Sequence, residues 1–431
     1  GWTLSALAAG GAAPAAEPAP LPSPLTLEQA LTLADGAHPD LALAQSRLDA
    51  GRARLDQVRS LTGVHSHLEL TAQTVKPATE SSFDLTDDSR ARLFFQKRLY
   101  DFGYSQALAD SARGELASRE QAYLDARQSR RLEIMARYFD VLLADLRYAV
   151  DNEAMAFTYI AFDRGRERRK LGQLSDLDLL ELEHRYQENR LKRTESQKRQ
   201  VSARTQLAHA LNRPQERPAE LASPDLPGND RDLPDHDSLL QAALTSNPVL
   251  AALRSEADAA HGALVAERAR RRPVLNAELE AARYARELQS RDDFRVSLSL
   301  RVPIYDGGEE KAAVAAAEAA RHEREARLAK AELELRQTVL DLVQELETLK
   351  VAREVAKVRT GYRDLYLDRS RALYELEVRT DLGDAQTRIT EAQWLAAQVE
   401  FRLALAWARI EALTGVLAAL PQRSANQENA Q

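Results

Sequence analysis

From Phe294 to Val302 the chain alternates. Phe294, Val296, Leu298, Leu300 and Val302 fall on one side of an extended backbone, and Arg295, Ser297, Ser299 and Arg301 on the other. The pattern predicts a strand with one apolar and one wet face, ended by Pro303, which lacks the donor a ladder needs. Asp306-Gly307-Gly308 then turns the chain into a long helical pattern rich in Ala, Glu, Lys and Arg. An earlier junction, Leu99-Tyr100-Asp101-Phe102-Gly103, has the same order of strand, turn and long helix.

Followed from its start, the pattern predicts a helix from Pro24, capped by Thr26, and a break at His38-Pro39. A second helix runs to about Ser60, and strands follow at about 64–75 and 90–100 around the polar loop Lys76 to Ser89. Two long helices are expected at 103–171 and 176–211, the first about 100 Å at 1.5 Å per residue. Five prolines between Pro214 and Pro234 mark a linker over 213–234. The programme then repeats over 235–417, with strands at about 274–285 and 293–303 and helices at 308–376 and 381–415. Asn247-Pro248 answers His38-Pro39, Tyr305 answers Tyr100 and Leu376 answers Leu171. Residues 1–24 read as a leader, 25–212 as the first repeat and 418–431 as a disordered tail. In the leader, Leu4 to Ala16 reads as the end of a signal peptide's apolar run.

Each repeat thus offers two strands of the length a tilted strand needs to cross a bilayer. An open sheet edge cannot face lipid, because unpaired backbone groups there cost several kcal/mol each. Four strands do not close around a channel, so several chains must share a barrel, and three would supply twelve strands. The wet face, with His67, Glu278, Arg295 and Arg301, would then line water. A soluble hairpin packed on a helix would show the same alternation, so the helices matter. Leu335, Val339, Leu342, Leu346 and Leu349 form a coiled-coil seam, and Val351, Val355, Val358, Tyr362 and Leu365 form a second, displaced one. A helix with neighbours on both sides, as in a tube wall, needs such a spread.

Composition narrows the picture further. Charged residues make up 29% of 431 and aromatics 6%, which is the composition of long helices. The net charge of −7 is dispersed, so no nucleic-acid footprint is present. Without Cys there is no disulfide and no thiolate site. No Ser/His/Asp, phosphate-loop or paired-carboxylate constellation has a supporting context, so neither an enzyme nor a cofactor is expected. His65 and His67 share a strand face without a third ligand and read as plain polar-face residues rather than a metal site. Tyr100 and Tyr305 are placed to end strands at a membrane boundary. Trp394 and Trp407 read as wall packing.

Taken together, the duplicated plan, the strand before Val302-Pro303-Ile304-Tyr305-Asp306-Gly307-Gly308, the His-Pro and Asn-Pro breaks, and the helix turn at Leu171-Gly172-Gln173-Leu174-Ser175-Asp176 resemble the TolC family of outer-membrane efflux proteins. The resemblance spans roughly 25–415. It implies a mainly α fold with a small β part: a homotrimer with a twelve-stranded barrel in the outer membrane, continuous with a long periplasmic α-helical barrel. It further implies a passive export duct served by an inner-membrane pump and a periplasmic adaptor, as in tripartite efflux or type I secretion. A non-transporting periplasmic coiled-coil scaffold is the alternative.

By the same resemblance, Tyr374 and Arg379 fall on a Tyr and an Arg that bond to a partner at Asp178, holding the periplasmic aperture closed. The family's acidic ring falls on Gly383 and Gln386, and a shift of two places Asp381 and Asp384 there instead. Gly172, Ser175, Asp176 and Glu377 mark the helix turns expected to dock the adaptor, with Glu377 standing where the family has Gly.

Overall fold

The computed structural model describes residues 20–36, 38–76, 85–286, 291–376 and 382–419. In chain order these form α1 (Leu27–Thr32), a 3-10 turn (Leu33–Asp35), α2 (Pro39–Ser60), β1 (Val64–Thr71), β2 (Thr74–Val75), β3 (Thr86–Asp87), β4 (Arg90–Tyr100), α3 (Tyr104–Lys170) and α4 (Asp176–Ala210). A second 3-10 turn (Pro227–Asp230) leads to α5 (His236–Ser246), α6 (Pro248–Ala269), β5 (Val274–Tyr284), β6 (Phe294–Arg301), α7 (Glu309–Glu375), α8 (Leu382–Leu413) and α9 (Val416–Ala419). The protein is mainly helical with a small sheet. The tail expected from 418 therefore begins inside α9.

The duplication is visible in how elements begin. α2 and α6 are both 22 residues long, with Pro39 and Pro248 in the first turn, where a missing N–H costs nothing. His38 Nδ1 accepts from the Asp40 N–H and Asn247 Oδ1 from the Leu250 N–H, so each X-Pro is a capped start rather than a kink. α3 and α7 are both 67 residues and offset by 205 at each end (309 minus 104, 375 minus 170). Before α3, Phe102 and Gly103 have φ of 53° and 97°; before α7, Gly307 and Gly308 have 72° and 95°. The left-handed step is thus kept in both copies, with Phe102 carrying its steric cost where the second copy has Gly. Asp101 accepts from the Ser105 N–H, and Asp306 from the Gly308 and Glu310 N–H groups, which hold the Asp306 carboxyl below its usual range.

The chain divides into two compact units, each drawn from both repeats. One contains 37–132, 227–355 and 399–431. Here lies the four-stranded antiparallel sheet, in the order β1-β4-β5-β6, and a separate two-residue ladder of β2 and β3. Its helical core gathers Leu239, Leu250, Val339, Leu346, Leu403 and Trp407. α3 and α6 approach closely at small residues: a Cβ added to Gly114 would lie 3.0 Å from the Ala259 backbone, and one on Gly262 would lie 2.9 Å from the Ser111 N. The 3-10 turn is tied down by charge, because Arg353 bonds both Asp230 (2.7 Å) and Glu400 (2.5 Å) while the Lys350 ammonium donates to two turn carbonyls. Hydrogen bonding from Arg353 holds the Asp230 carboxyl below its usual range.

The other unit contains 1–36, 133–226 and 356–398. Ile134, Tyr138, Phe139 and Leu207 form its buried centre. The Tyr138 hydroxyl donates to the carbonyls of Leu25 (2.8 Å) and Ala222 (2.5 Å), joining the segment before α1 to the linker. Burial pushes its phenol up to about 12. Trp394 stacks under the Arg147 guanidinium, 5.2 Å from the ring centre.

Candidate functional site

The register of the sheet decides what its faces present. Leu68, Leu93, Ala281 and Phe294 lie opposite one another across all four strands, and Ser66, Phe95, Leu279 and Val296 form the next row on the same face. A third row contains Val64, Lys97, Ala277 and Leu298. This apolar face is not packed on a helix: Leu298 is 67% exposed and Leu70 72%. A contiguous exposed face of this kind marks contact with a partner or a lipid phase. The soluble-hairpin expectation, with the apolar face buried, therefore fails.

The opposite face is a polar lattice. Arg92 bonds Glu69 at 2.7 Å and lies 3.7 Å from Glu280, which Arg295 also approaches at 3.7 Å. Gln96 donates to Glu278 at 2.8 Å, and His67 stacks on Phe94 at 4.7 Å. His65 meets the Ser60 carbonyl at 2.9 Å. The two histidines face the same way yet have different partners, and among the described residues no group of three metal-ligating side chains forms. Of the tyrosines expected to end strands, Tyr100 closes β4, but Tyr305 lies beyond the end of β6 at Arg301. Pro303 ended that ladder early.

β1 and β6 are the two edges of the sheet, and each has one neighbour among the described residues. Their outer backbone groups are available to another strand. Four strands in one sheet with open edges are the geometry of a barrel segment, not of a closed barrel.

The turn between α3 and α4 is the second feature. Gly172 has φ 71°, its N–H donates to the Arg169 carbonyl (3.0 Å), and the Gln173 N–H donates to the Arg168 carbonyl (2.9 Å), closing α3 with a Schellman motif. Ser175 caps α4: its Oγ accepts from the Asp178 N–H and donates to the Asp178 carboxylate at 2.6 Å. Asp176 forms a two-pronged pair with Arg169, 2.6 and 3.0 Å, and that hydrogen bonding holds its carboxyl below the usual range. Arg169 was not among the residues singled out from sequence. Arg169 and Asp176 are seven residues apart across the turn, which is neither the i,i+3 nor the i,i+4 spacing of an ion pair on one helix.

Of the remaining candidates, Tyr374 is about half exposed near the end of α7, and Asp384 bonds Arg388 one turn later at 2.6 Å. The structure joins Asp178 to Ser175 rather than to Tyr374. Glu377, Arg379 and Asp381 lie outside the described residues. Gly383, read as a missing carboxylate, has a packing role: an added Cβ would lie 2.0 Å from the Phe157 ring.

On the helices, the first α7 stripe from Leu335 to Leu349 is buried, and the second from Val351 to Leu365 is exposed in the single chain. No described helix is long and apolar enough to cross a membrane.

Comparison with known proteins gives concordant results. Residues 239–416 match the family model described as outer membrane efflux protein. The cobalt-zinc-cadmium resistance protein CzcC of Cupriavidus metallidurans is 24% identical over 307 residues, covering 67% of this chain and 65% of that protein. The match thus spans just under two thirds of that relative's length. The crystal structure of the Campylobacter jejuni CmeC outer membrane channel superposes with a TM-score of 0.77 at 14% identity, covering 94% of this chain and 88% of that one. The outer membrane protein VceC of Vibrio cholerae gives 0.72 at 17% identity, with 90% and 96% covered. The open state of the Neisseria gonorrhoeae MtrE outer membrane channel gives 0.68 at 17%, with 91% and 89% covered. At these identities the likeness is one of fold.

Proposed function

From a chain that carries an outer membrane efflux protein domain over 239–416 and the fold of outer-membrane channels over nearly its whole length, we propose the outer-membrane duct of a tripartite efflux or type I secretion system. It resides in the outer membrane and extends into the periplasm. Three copies join β1 of one sheet to β6 of the next, giving twelve strands. The exposed apolar rows face lipid and the Arg92-Glu69-Glu280 lattice faces water. One observation carries this reading: the apolar face is in register across all four strands and exposed, while both sheet edges are open. In lipid each edge group left unpaired costs several kcal/mol, so self-association is the way to satisfy them. The exposed Val351 to Leu365 stripe supplies a matching helical contact between copies.

The chain works as a passive conduit without catalysis, as a family of efflux channels implies. An inner-membrane pump supplies the energy and selects the cargo, and a periplasmic adaptor docks at the helix turns around Gly172, Ser175, Asp176 and Glu377. Asp178, Tyr374 and Arg379 hold the aperture closed, with Asp381 and Asp384 narrowing its mouth. Charge-assisted bonds of about 1.5–3 kcal/mol suit a contact that a partner must release.

Expression with an intact leader, membrane fractionation and mass measurement in detergent test the proposal. A trimer in the outer-membrane fraction is expected, with bilayer conductance that rises in Arg379→Ala and Tyr374→Phe. A soluble monomer overturns the duct; a trimer whose conductance ignores both substitutions overturns the gate alone.

A further inference from the structure

The two faces of the sheet differ in more than polarity. The carboxylates of its four strands, Glu69, Glu278 and Glu280, all fall on the polar face, where Arg92 reaches Glu69 and Arg295 reaches Glu280. The register places two charges on the apolar face, Lys97 of β4 and Arg283 of β5, with no acid beside them. Lys97 stands in the row of Val64, Ala277 and Leu298, while Arg283 stands opposite Ala91, which in turn faces Leu70. Both side chains are exposed, and neither has an ion-pair or hydrogen-bonding partner among the described residues.

Their places along the strands are ordered too. Lys97 lies three residues before the end of β4, where the chain enters α3, and Arg283 one residue before the end of β5, at the rim away from the helices. Barrel strands are tilted, so depth in a membrane follows position along each strand rather than the ladder row. Leu298 shares the Lys97 row yet stands midway along β6. Lys97 and Ala91, the residue opposite Arg283, are six residues apart (97 minus 91), about 20 Å of strand at 3.3 Å per residue. A tilt of about 35–45° leaves roughly 15 Å of that along the bilayer normal. Side chains that each reach about 5 Å outward bring the two charged heads roughly 25 Å apart, the height of the apolar band of a membrane barrel. At the Lys97 boundary the rings of Tyr100 and Phe102, 57% and 41% exposed, meet edge to face at 4.7 Å, and aromatic rings of this kind suit the headgroup level.

We propose that Lys97 and Arg283 each hold the phosphate of an anionic membrane lipid, one at either boundary of the apolar face, and so fix the depth at which the sheet sits. The inference rests on the outer-membrane duct reading, because it needs the apolar face in lipid. A cation in the middle of the hydrocarbon is costly, whereas one whose stem lies along apolar surface and whose head reaches the interface is nearly free of that cost. At the interface the acceptors are lipid phosphate oxygens, and a charge-assisted bond to them supplies the partner that the chain does not. A protein carboxylate is not that partner. β4 and β5 are the inner strands of the sheet, so a copy that pairs at the edges β1 and β6 leaves this part of the face to lipid.

The test is native mass spectrometry of the full-length protein in detergent, titrated with dioleoyl phosphatidylglycerol and, separately, with dioleoyl phosphatidylcholine. Wild type is expected to retain phosphatidylglycerol in preference. Lys97→Leu and Arg283→Leu are each expected to weaken that retention roughly fivefold, as removal of one interfacial cation requires, and the double variant to weaken it further. Lys97→Arg and Arg283→Lys keep it, and so does Arg301→Leu, which takes a cation from the polar face. Equal retention of the two lipids by wild type overturns the proposal. So does phosphatidylglycerol retention that is the same in wild type and the double variant, or that falls as far in Arg301→Leu. A soluble monomer in place of a trimer overturns the duct reading and this inference with it; a trimer whose lipid retention ignores both substitutions overturns this inference alone.

Discussion

Single side chains in this protein often have a role different from the one their type suggests. Gly383 stands where a carboxylate was sought, yet an added Cβ would lie 2.0 Å from the Phe157 ring. Gly383→Ala is therefore expected to destabilise by about 1–3 kcal/mol through overpacking, read as a lower denaturation midpoint, whereas a dispensable glycine would leave it unchanged. Tyr138→Phe leaves the half-buried Ala222 carbonyl without its donor, whereas Leu25 O still accepts from the Ala222 N–H. A cost of about 1–2 kcal/mol in the same measurement is expected. Because burial raises the Tyr138 phenol to about 12, its neutral form belongs to the folded state. Its contribution is complete below the ordinary phenol range and is lost as pH rises toward 12. Asp176 has the opposite sign. With Arg169 lowering it, the pair's contribution is present at neutral pH and is lost only as pH falls below the ordinary carboxylate value of 3.8. An NMR titration should place Asp176 below that value in wild type and return it there in Arg169→Ala; no movement would mean the pair does not persist in solution. The cap at Thr26 was readable because a cap acts within three residues. Arg169 and Phe157 were not, because their partners arrive across a turn or from another helix.

At the scale of elements, α7 shows how periodicity names a stripe without naming its partner. Both of its apolar stripes step by three and four, yet Val339 and Leu346 are fully buried while Val358 and Leu365 are about 70% exposed. Leu346→Ala is expected to cost about 2–5 kcal/mol of the chain's own stability. Val358→Glu with Leu365→Glu should leave the single chain's helicity intact and shift the assembly toward monomers in sedimentation; a trimer of undiminished stability would show that this stripe faces no copy. The strands behave likewise. Leu298→Arg places a charge in the middle of the exposed apolar face, where in lipid it costs roughly 2–4 kcal/mol. Reduced outer-membrane yield is expected, while Ser297→Arg, on the polar face, should insert normally. Equal yields from the two would remove the lipid-facing assignment.

For the molecule as a whole, sequence repeats and compact units do not coincide. The chain repeats at an offset of 205 in its long helices, yet each compact unit takes pieces of both copies. A helix of 67 residues cannot bury its apolar stripes against its own repeat alone, so α3 and α7 each contribute to both units. By itself, the sequence determined the helices, the two-faced strands, the breaks at His38-Pro39 and Asn247-Pro248, the glycine turns and the duplication, because each follows from backbone geometry and periodicity within a few residues. Only the tertiary structure decided that β4 pairs with β5 to make one four-stranded sheet, that the first α7 stripe is core and the second is surface, and that Arg169 pairs with Asp176 across the helix turn. Those outcomes depend on which distant segments meet, and apolar burial, being non-directional, does not record its partner in the local pattern.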